Sequence, residues 1–410
     1  DAKSGILITN YHTFLNDTPS IAALDIDFVV VDEVHSVKAR TGKLNNNIGS
    51  VVKNKPTIFL TGTPVMSKPE DIFGIVQMSN PKYFGAYTKF KERYIVMDAS
   101  GRYGARIVGA KNLDELRAKV QDIVIRRTEY EVAIQLPQTI IQRKDCDMDV
   151  TQENILCKIQ ETQDMLGNDL EKLKNQQSSR QISSTVFEER YKMIDAQSKA
   201  LIAARQAAST DPRLFLSSNS KMMREKYGTM LPASYKMSSK TESILDTVED
   251  IIMNGDKVIL FTKFRTCAQM IATDINAVLG QVALLYTGAE DETARNNAID
   301  LFKNTTNHNI LIGTEAMAEG LNLQVAKYVI NIDQPDTFAI KTQRIGRARR
   351  VGSQYSNVIV YDMITLSTDK ANSKDEERLQ NIVNNQNLTD ALVNIDEAQR
   401  QALITAMKGA

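Results

Sequence analysis

Residues 28–35 read Phe-Val-Val-Val-Asp-Glu-Val-His, an apolar, β-branched run that ends in two adjacent carboxylates. Such a run predicts a buried parallel strand, and the carboxylates fall where the C-terminal end of a parallel strand opens onto a ligand crevice. Nucleotide hydrolases of the P-loop class need this arrangement, because one carboxylate holds Mg²⁺ and the other orients the attacking water. The short pattern Asp-Glu-x-His is equally compatible with a strand that ends in a solvated turn.

Two further segments strengthen the first interpretation. Residues 57–64 read Thr-Ile-Phe-Leu-Thr-Gly-Thr-Pro, a short apolar strand with a hydroxyl-rich turn that is, taken singly, ordinary loop chemistry. Residues 343–350 read Gln-Arg-Ile-Gly-Arg-Ala-Arg-Arg, a basic run that is typical of a solvated helix face or a nucleic-acid patch. In that run Gln343, Arg347 and Arg350 fall at i, i+4 and i+7, which predicts one shared helix face. Two guanidiniums presented together suit a transferring γ-phosphate.

In this order along the chain, the segments resemble the superfamily-two helicases, and within them the Swi/Snf-type double-stranded DNA translocases. The resemblance covers nearly the whole chain and is carried by residues 6–11, 32–35, 60–64, 125–128, 136–137, 258–264, 286–288, 313–323 and 343–354. Arg126-Arg127-Thr128 and Gly352-Ser353-Gln354 favour the Swi/Snf-type branch over the unwinding helicases.

The resemblance implies a role for individual residues. Asp32 is expected to hold Mg²⁺ and to contact ATP, while Glu33 positions the attacking water. Arg347 and Arg350 are expected to offset γ-phosphate charge, an effect of about 10³–10⁵ in rate for arginine fingers. Besides Asp32 and the two arginines, the residues that would contact ATP are His35, Gly320 and Gln343. The residues that would contact double-stranded DNA are Thr9, Asn10, Thr61, Thr63, Lys263, Gly288 and Thr314.

The chain departs from the family pattern because it has no P-loop. The pattern Gly-x-x-x-x-Gly-Lys-[Ser/Thr] is approached only at Gly42-Lys43, but Leu44 follows and Val37 stands at the position of the first glycine. In the family this loop precedes the acidic box. We therefore expect a missing N-terminal segment that carries the P-loop, and we expect residues 1–410, which begin without Met, to be truncated and to hydrolyse no ATP alone.

Composition narrows the classes of function. The chain has 50 basic and 50 acidic residues, so affinity for DNA must come from a local patch and not from net charge. Its 3 cysteines (Cys146, Cys157 and Cys267) are too widely spaced to suggest a disulfide framework or a zinc site. Since no apolar run approaches a membrane span and no signal peptide is visible, we expect no membrane partner. The expected location is the cytoplasm, of a bacterial or phage-infected cell, or the nucleus, and not the exterior.

The predicted fold class is α/β, and the resemblance implies two RecA-like parallel-sheet lobes with helical insertions and an incomplete first lobe. Five regions are expected. They are the C-terminal part of the first lobe (1–80), a helical protrusion and return to that lobe (81–145), a helical insertion or linker (146–238), the second lobe (239–370) and a helical tail (371–410).

The spacing of apolar and aromatic residues predicts the helices and strands of these regions. Aromatic residues between 83 and 94 have helical spacing, which favours packing inside a protrusion over stacking on bases. A helical stripe consists of Ile155, Ile159, Leu166, Leu170 and Leu173. Short strands are predicted at 257–261, 282–285, 309–312, 328–332 and 357–361, with helices between them, which predicts a parallel sheet with right-handed crossovers.

Three functions are compatible with these observations. The first is an ATP-dependent translocase that acts as a monomer on double-stranded DNA and couples hydrolysis between two lobes to movement. The second is a strand-separating DNA or RNA helicase of the same superfamily. The third is a non-catalytic module that binds DNA or a partner. The absent P-loop supports the third, whereas the presence of Asp32, Glu33, Arg347 and Arg350 argues against it.

Overall fold

The computed structural model describes residues 5–53, 55–62, 68–98, 106–125, 136–318 and 320–393. The chain divides into two compact units, which comprise residues 1–128 with 383–410 (unit one) and residues 129–382 (unit two). Within the described ranges, none of the helices is both long and apolar enough to cross a membrane.

Unit one begins as an α/β arrangement. Its described elements are α1 (Tyr11–Ala22), β1 (Val29–Val31), α2 (Lys43–Val52), β2 (Thr57–Phe59), α3 (Glu70–Ser79), α4 (Tyr87–Tyr94), β3 (Ile95–Asp98), β4 (Arg106–Ala110) and α5 (Leu113–Gln121). Strands β1 and β2 pair in parallel, with Val31 opposite Phe59. The predicted parallel strand at residues 28–31 is therefore confirmed.

The strand at β1 is predicted to be buried on both faces, and this prediction is wrong for one of them. Val31 packs with apolar residues of α1, α2 and α3, whereas Val30 remains 54% exposed. The other large apolar side chains left exposed in these two strands and beside them are Phe28, Ile58 and Leu60. Because successive side chains of a strand point to opposite faces, the helices cover one face of β1 and β2 and leave the other uncovered among the described residues.

The aromatic residues of the protrusion pack on one another. Phe73 of α3 lies 4.9 Å from Phe90 and 5.3 Å from Tyr87, measured between ring centroids. Phe90 and Tyr94 are buried in the same cluster. The preference for packing over base stacking is therefore confirmed. The region is less helical than predicted, since β3 and β4 pair as antiparallel strands.

Unit two contains a parallel sheet. Over residues 136–318 and 320–382 its strands are β5 (Gln138–Cys146), β6 (Val258–Phe261), β7 (Ala283–Tyr286), β8 (Ile310–Gly313), β9 (Tyr328–Asn331) and β10 (Asn357–Thr365). The order across the 6-stranded sheet is β5-β10-β9-β6-β8-β7, and every pairing is parallel. The predicted α/β fold and the last five strands are thus confirmed.

Strand β5 corrects the expected extent of the first lobe. Residues 81–145 are expected to end by returning to that lobe, but β5 pairs with β10 from Gln138 opposite Asn357 to Cys146 opposite Thr365. The strand lies at an edge of the sheet and is largely exposed, so its sequence is polar and gives no sign of a core strand.

The helices of unit two fall into two groups. A helical insertion contains α6 (Val150–Ser178), α7 (Ser184–Thr210) and α8 (Lys221–Lys226), and the sheet is flanked by α9 (Ser239–Met253), α10 (Arg265–Leu279), α11 (Glu292–Asn304) and α12 (Phe338–Ala348). Helix α13 (Lys374–Val393) follows β10 and belongs to unit two only as far as Ile382. The predicted stripe on α6 packs inward, because Ile155, Ile159, Leu170 and Leu173 are buried.

A polar clamp fixes the loop that follows the acidic box in unit one. The buried Asn45 side chain donates hydrogen bonds of 2.8 Å to the carbonyl oxygens of Val37 and Gly74. At Gly74 of α3, an added Cβ would lie 1.9 Å from the carbonyl oxygen of Lys38. The loop backbone therefore rests directly on α3, at a distance that only glycine permits.

We expect Gly74→Ala to lower the free energy of unfolding by about 1–3 kcal/mol, because the new methyl group overlaps a backbone oxygen that cannot rotate away. Gly49→Ala is the matched control, since its Cβ would meet atoms of Met78 at an ordinary 3.6 Å. In that helix interior alanine is favoured over glycine by about 1 kcal/mol. Urea unfolding followed by circular dichroism measures both variants, and equal effects would contradict the close-contact explanation.

Candidate active site

The acidic box lies at the C-terminal end of β1. Asp32 and Glu33 are both exposed, and the Glu33 backbone N–H donates a 2.8 Å hydrogen bond to Asp32 Oδ1. Glu33 has a left-handed backbone conformation with φ of 48°, which is rare for a residue other than glycine, asparagine or aspartate. Strained backbone of this kind clusters at functional sites. The turn therefore presents both carboxylates to solvent at the end of the strand.

His35 connects the acidic box to the segment after β2. The imidazole is buried, and its Nδ1 lies 3.1 Å from Glu33 Oε2 and 3.0 Å from Thr61 Oγ1. Glu33 and Thr61, which are predicted site residues of two separate motifs, thus both contact His35. Thr61, which is predicted to contact DNA, therefore lies within one side chain of Glu33.

Tyr11 is part of this site, although the segment at residues 6–11 predicts no separate role for it. Its hydroxyl donates a hydrogen bond to the backbone carbonyl of Asp32. Burial, together with the negative charges of Asp32 and Glu33, raises the pKa of Tyr11 to about 12. The phenol therefore stays protonated at neutral pH and remains a donor that fixes the backbone at Asp32. The sequence separation between Tyr11 and Asp32 could not predict this hydrogen bond, because the contact forms only in the tertiary structure.

Asn10 is another predicted DNA contact in unit one, and it has a structural role at the start of α1. Its side chain caps α1 by accepting a 2.8 Å hydrogen bond from the Thr13 backbone N–H. Thr9 is exposed and hydrogen-bonds to the Asn10 carbonyl. Thr63 lies outside the described residues.

The arginine run in unit two occupies α12 and the turn after it. The helix ends at Ala348, so the prediction that Gln343, Arg347 and Arg350 share one helix face is wrong for Arg350. Arg349 leaves the helical conformation with ψ of 89°, and its guanidinium donates to the Pro137 carbonyl at 2.6 Å. That tertiary contact lies just before β5 and accompanies the end of the helix.

The two predicted finger residues nevertheless meet neighbouring residues of one loop. Arg347 donates to the Leu321 carbonyl at 3.1 Å, and Arg350 donates to Asn322 Oδ1. The backbone of the same loop returns a contact, because the Leu323 N–H donates to the Arg347 carbonyl at 2.9 Å. Gly320 precedes these residues with φ of 70°. The structure thus places Arg347 and Arg350 against the loop that follows Gly320, and Gln343 lies one turn before Arg347 on α12, where its carbonyl accepts a 3.2 Å hydrogen bond from the Arg347 guanidinium.

A buried arginine that the sequence did not single out organises this half. Arg344 is 0% exposed, and its guanidinium lies 2.5 Å from Glu315 Oε1 and 3.6 Å from Asp333 Oδ1. It also donates to Asn331 Oδ1 at 3.1 Å and to the Asp333 carbonyl at 3.0 Å. In the sequence, Arg344 lies four residues after Ile340 and four residues before Ala348. This helical spacing could have predicted that Arg344 lies on the apolar face of α12.

The same network reaches the end of β6. Asp333 accepts hydrogen bonds from the Thr262 hydroxyl at 2.6 Å and from the Lys263 backbone N–H at 2.9 Å. The Lys263 ammonium group, a predicted DNA contact, pairs with Asp336. Asp336 also pairs with Arg378 of α13 at 2.6 Å. A phosphate that engages Lys263 would therefore replace a carboxylate partner.

The two remaining predicted DNA contacts lie on neighbouring strands of the sheet. Thr314 follows β8, and its backbone N–H donates to the Tyr286 carbonyl at the end of β7. Gly288 follows β7, and no heavy atom lies within 4 Å of its added Cβ. Both positions therefore fall at the C-terminal edge of the sheet, where parallel α/β sheets bind ligands.

The chemistry of the acidic box fits a hard cation. Asp32 supplies exposed carboxylate oxygens, which are the ligands that Mg²⁺ prefers, and Mg²⁺ commonly takes one or two carboxylates together with substrate phosphates and water. Among the residues that the structure describes, no group of three or more histidine, cysteine, aspartate or glutamate side chains could hold a metal by itself. The site therefore suits a cation that arrives with a phosphate ligand.

Comparison with known proteins identifies the class. Residues 1–199 match the SNF2-related domain, and residues 240–352 match the helicase conserved C-terminal domain. The chain therefore belongs to the Swi/Snf-type group of superfamily-two helicase-like proteins, as the motifs predict.

Individual relatives differ in how much of them this chain spans. The uncharacterized ATP-dependent helicase YqhH of Bacillus subtilis is 24% identical over 85% of this chain and 57% of its own length. The DNA annealing helicase and endonuclease ZRANB3 of Bos taurus is 35% identical over 35% of this chain and 14% of its own length. The solved SWI2/SNF2 ATPase core of Sulfolobus solfataricus in complex with dsDNA is 23% identical, with a TM-score of 0.37, over 87% of this chain and 67% of that one.

We expect Arg344→Met to lower the free energy of unfolding of unit two by about 3–5 kcal/mol, because it leaves the buried Asp333 carboxylate without its guanidinium. The control is Arg265→Met at the exposed start of α10, where a change within about 0.5 kcal/mol is expected. Thermal unfolding followed by circular dichroism compares the two. A stability of Arg344→Met equal to that of the control would refute the structural role of the network.

Proposed function

We propose that this chain is the core of an ATP-dependent translocase on double-stranded DNA. The observation that carries the proposal is the convergence of Arg347 and Arg350 on Leu321 and Asn322, in a chain whose other unit presents Asp32 and Glu33 at a strand end. Guanidiniums that offset phosphate charge and carboxylates that hold Mg²⁺ or position the attacking water are recurring parts of phosphoryl-transfer sites.

Each residue has a defined task in this proposal. Asp32 binds Mg²⁺, which offsets phosphate charge when it is bound. Glu33 accepts a hydrogen bond from the attacking water, and His35 fixes the orientation of the Glu33 side chain through its 3.1 Å contact. Arg347 and Arg350 offset the charge that accumulates on the γ-phosphate oxygens, and Gln343 contacts the nucleotide through its amide.

Coupling to movement follows from the division of these groups between two units. Unit one contributes the carboxylates, and unit two contributes the guanidiniums. We propose that hydrolysis requires both sets, so that each cycle changes the contacts that the units make with DNA. Thr61, which shares His35 with Glu33, links the nucleotide to the DNA contacts of unit one.

The proposed substrate is the backbone of duplex DNA. ZRANB3, a relative in part of its length, is described as a DNA annealing helicase. The Gly352-Ser353-Gln354 turn of this chain, with φ of 84° at Gly352, carries the motif that favours the Swi/Snf-type branch. Backbone recognition predicts low sequence preference and strong dependence on salt. We further propose a monomer on DNA and a location in the cytoplasm or the nucleus.

We propose that the P-loop lies on a segment other than residues 1–410, whose sequence contains no such pattern. Among the described residues one face of β1 and β2 is uncovered, with Val30 54% and Ile58 47% exposed, which supports packing of an apolar element against that face. We propose that the segment that carries the P-loop covers this face, as part of a longer chain or as a separate partner.

One observation favours a second candidate. Without a P-loop, the chain could act as a non-catalytic module that binds DNA or a protein partner. That function gives no chemical reason for the joint presence of Asp32, Glu33, Arg347 and Arg350, so the translocase is preferred.

Glu33→Gln tests the chemical role of the acidic box in protein that contains the P-loop segment. We expect Mg²⁺-ATP to bind, because Asp32 remains, and turnover to fall by roughly 10²–10⁴, because the water loses its acceptor. DNA-stimulated phosphate release is the measurement, with Glu92→Gln at an exposed position of α4 as the matched control. Residues 1–410 alone should release no phosphate with or without duplex DNA. Normal turnover by Glu33→Gln would remove this residue from the mechanism.

Arg347→Ala and Arg350→Ala distinguish finger residues from DNA contacts. As fingers, each should reduce turnover by about 10³–10⁵ and leave duplex affinity nearly unchanged. The hydrolysis rate is measured beside duplex affinity over a series of salt concentrations. A loss confined to affinity and its salt dependence would assign these arginines to the DNA backbone instead.

A further inference from the structure

Unit one contains a second charged site that the acidic box does not use. A cavity of about 390 Å³ lies between the loop after the acidic box and the first turns of α3 and α4. The charged and aromatic residues that line it are Lys38, Arg40, Lys68, Glu70, Asp71 and Tyr87. We call this cavity the Arg40 pocket. Neither Asp32 nor Glu33 lines it.

The two carboxylates of the Arg40 pocket are already engaged by its walls. Asp71 is buried, and it accepts hydrogen bonds from the Lys38 ammonium group at 2.9 Å and from the Lys68 backbone N–H at 3.3 Å. Glu70 accepts a 2.7 Å hydrogen bond from the Tyr87 hydroxyl. The carboxylates thus face wall groups, and the three cationic side chains leave the pocket with an excess of positive charge.

Arg40 is the group in the pocket that lacks a carboxylate. Its guanidinium carbon lies 4.0 Å from the centroid of the Tyr87 ring. Among the described residues, the ion pairs of this pocket are Lys38 with Asp71 at 2.9 Å and Lys68 with Glu70 at 3.8 Å, and neither involves the Arg40 guanidinium. A guanidinium that lies over an aromatic face keeps its in-plane N–H groups available, and these match the two oxygens of a phosphate.

The backbone that carries Arg40 is fixed in advance. The Gln77 side chain donates to the Arg40 carbonyl at 2.9 Å and to Asn45 Oδ1 at 3.0 Å. Asn45 in turn binds the Val37 carbonyl, and Gly74 lies directly under the Lys38 carbonyl. A rigid loop loses little conformational entropy when its side chain binds a ligand, which favours a binding role over a mobile surface charge.

We propose that the Arg40 pocket binds one phosphate group of a nucleic-acid backbone, held by Arg40 and steered by Lys38 and Lys68. The inference rests on the proposed function and adds to it a backbone contact outside the motifs. A nucleotide phosphate has the same chemistry, but Asp32 and Glu33 lie outside the pocket, so the backbone is the preferred source. Such a contact is independent of base sequence.

The test measures binding of residues 1–410 to a fluorescein-labelled duplex by anisotropy, over about 50–200 mM salt. Arg40→Ala should weaken binding at low salt and reduce the slope of log K against log salt by about 0.9, the value for one phosphate contact. Arg40→Lys should keep the slope but bind more weakly than the native chain, because an ammonium group lacks the two-pronged geometry. The control is Lys53→Ala, which removes one exposed charge at the far end of α2 and should leave the slope unchanged.

The outcomes separate this proposal from the proposed function. If the native chain binds duplex with a steep salt slope and Arg40→Ala keeps that slope, the Arg40 pocket is refuted while the translocase stands. An equal loss of slope in Lys53→Ala would also refute it, because the effect would then be general charge. If ATP affinity, measured on the protein that contains the P-loop segment, falls in Arg40→Ala, the phosphate belongs to the nucleotide and the backbone assignment is wrong. Absence of any duplex binding by the native chain and by the P-loop-containing protein would overturn the proposed function itself.

Discussion

The second unit depends on a fully buried guanidinium at the C-terminal edge of its sheet. Removing a charge from water costs several kcal/mol unless partners surround it, and Arg344 has Asp333, Glu315, Asn331 and a backbone carbonyl within reach. Asn331 and Asp333 lie at and just after the end of β9, Glu315 follows β8, and Asp333 in turn binds Thr262 and Lys263 just after β6. Satisfying one charge therefore fixes the relative positions of β6, β8, β9 and α12, and α12 carries Arg347, one of the two predicted finger residues.

In unit one the neutral side-chain amide of Asn45 holds separate segments together in the same way. Asn45, 2% exposed, joins the loop after the acidic box to α3 through two carbonyl oxygens. The acidic box on one side of that loop is strained at Glu33, and the Arg40 pocket lies on the other. Both units thus hold polar groups rigidly beneath the residues that face ligands, which is how a preorganised site limits the cost of binding.

Several features could be predicted because they depend on short stretches of sequence. The last five strands of the unit-two sheet follow from apolar runs between helical patterns, and the stripe on α6 follows from helical spacing. The family followed from ordered motifs. Other expectations failed where distant residues decide: β5 is a polar edge strand recruited by β10, and Arg350 lies beyond a helix that ends where Arg349 binds the Pro137 carbonyl.

By itself, the sequence determined the fold class, the family and the identity of the paired carboxylates and guanidiniums, because each is encoded by residues that are close in the chain. The tertiary structure alone decided which groups share a partner. His35 lies between Glu33 and Thr61, Arg344 joins the end of β9 to the segment after β8, and Arg40 lies over Tyr87 without a carboxylate. These contacts join residues far apart in sequence, and whether a polar group meets a partner or is left available for a ligand depends on how the chain packs.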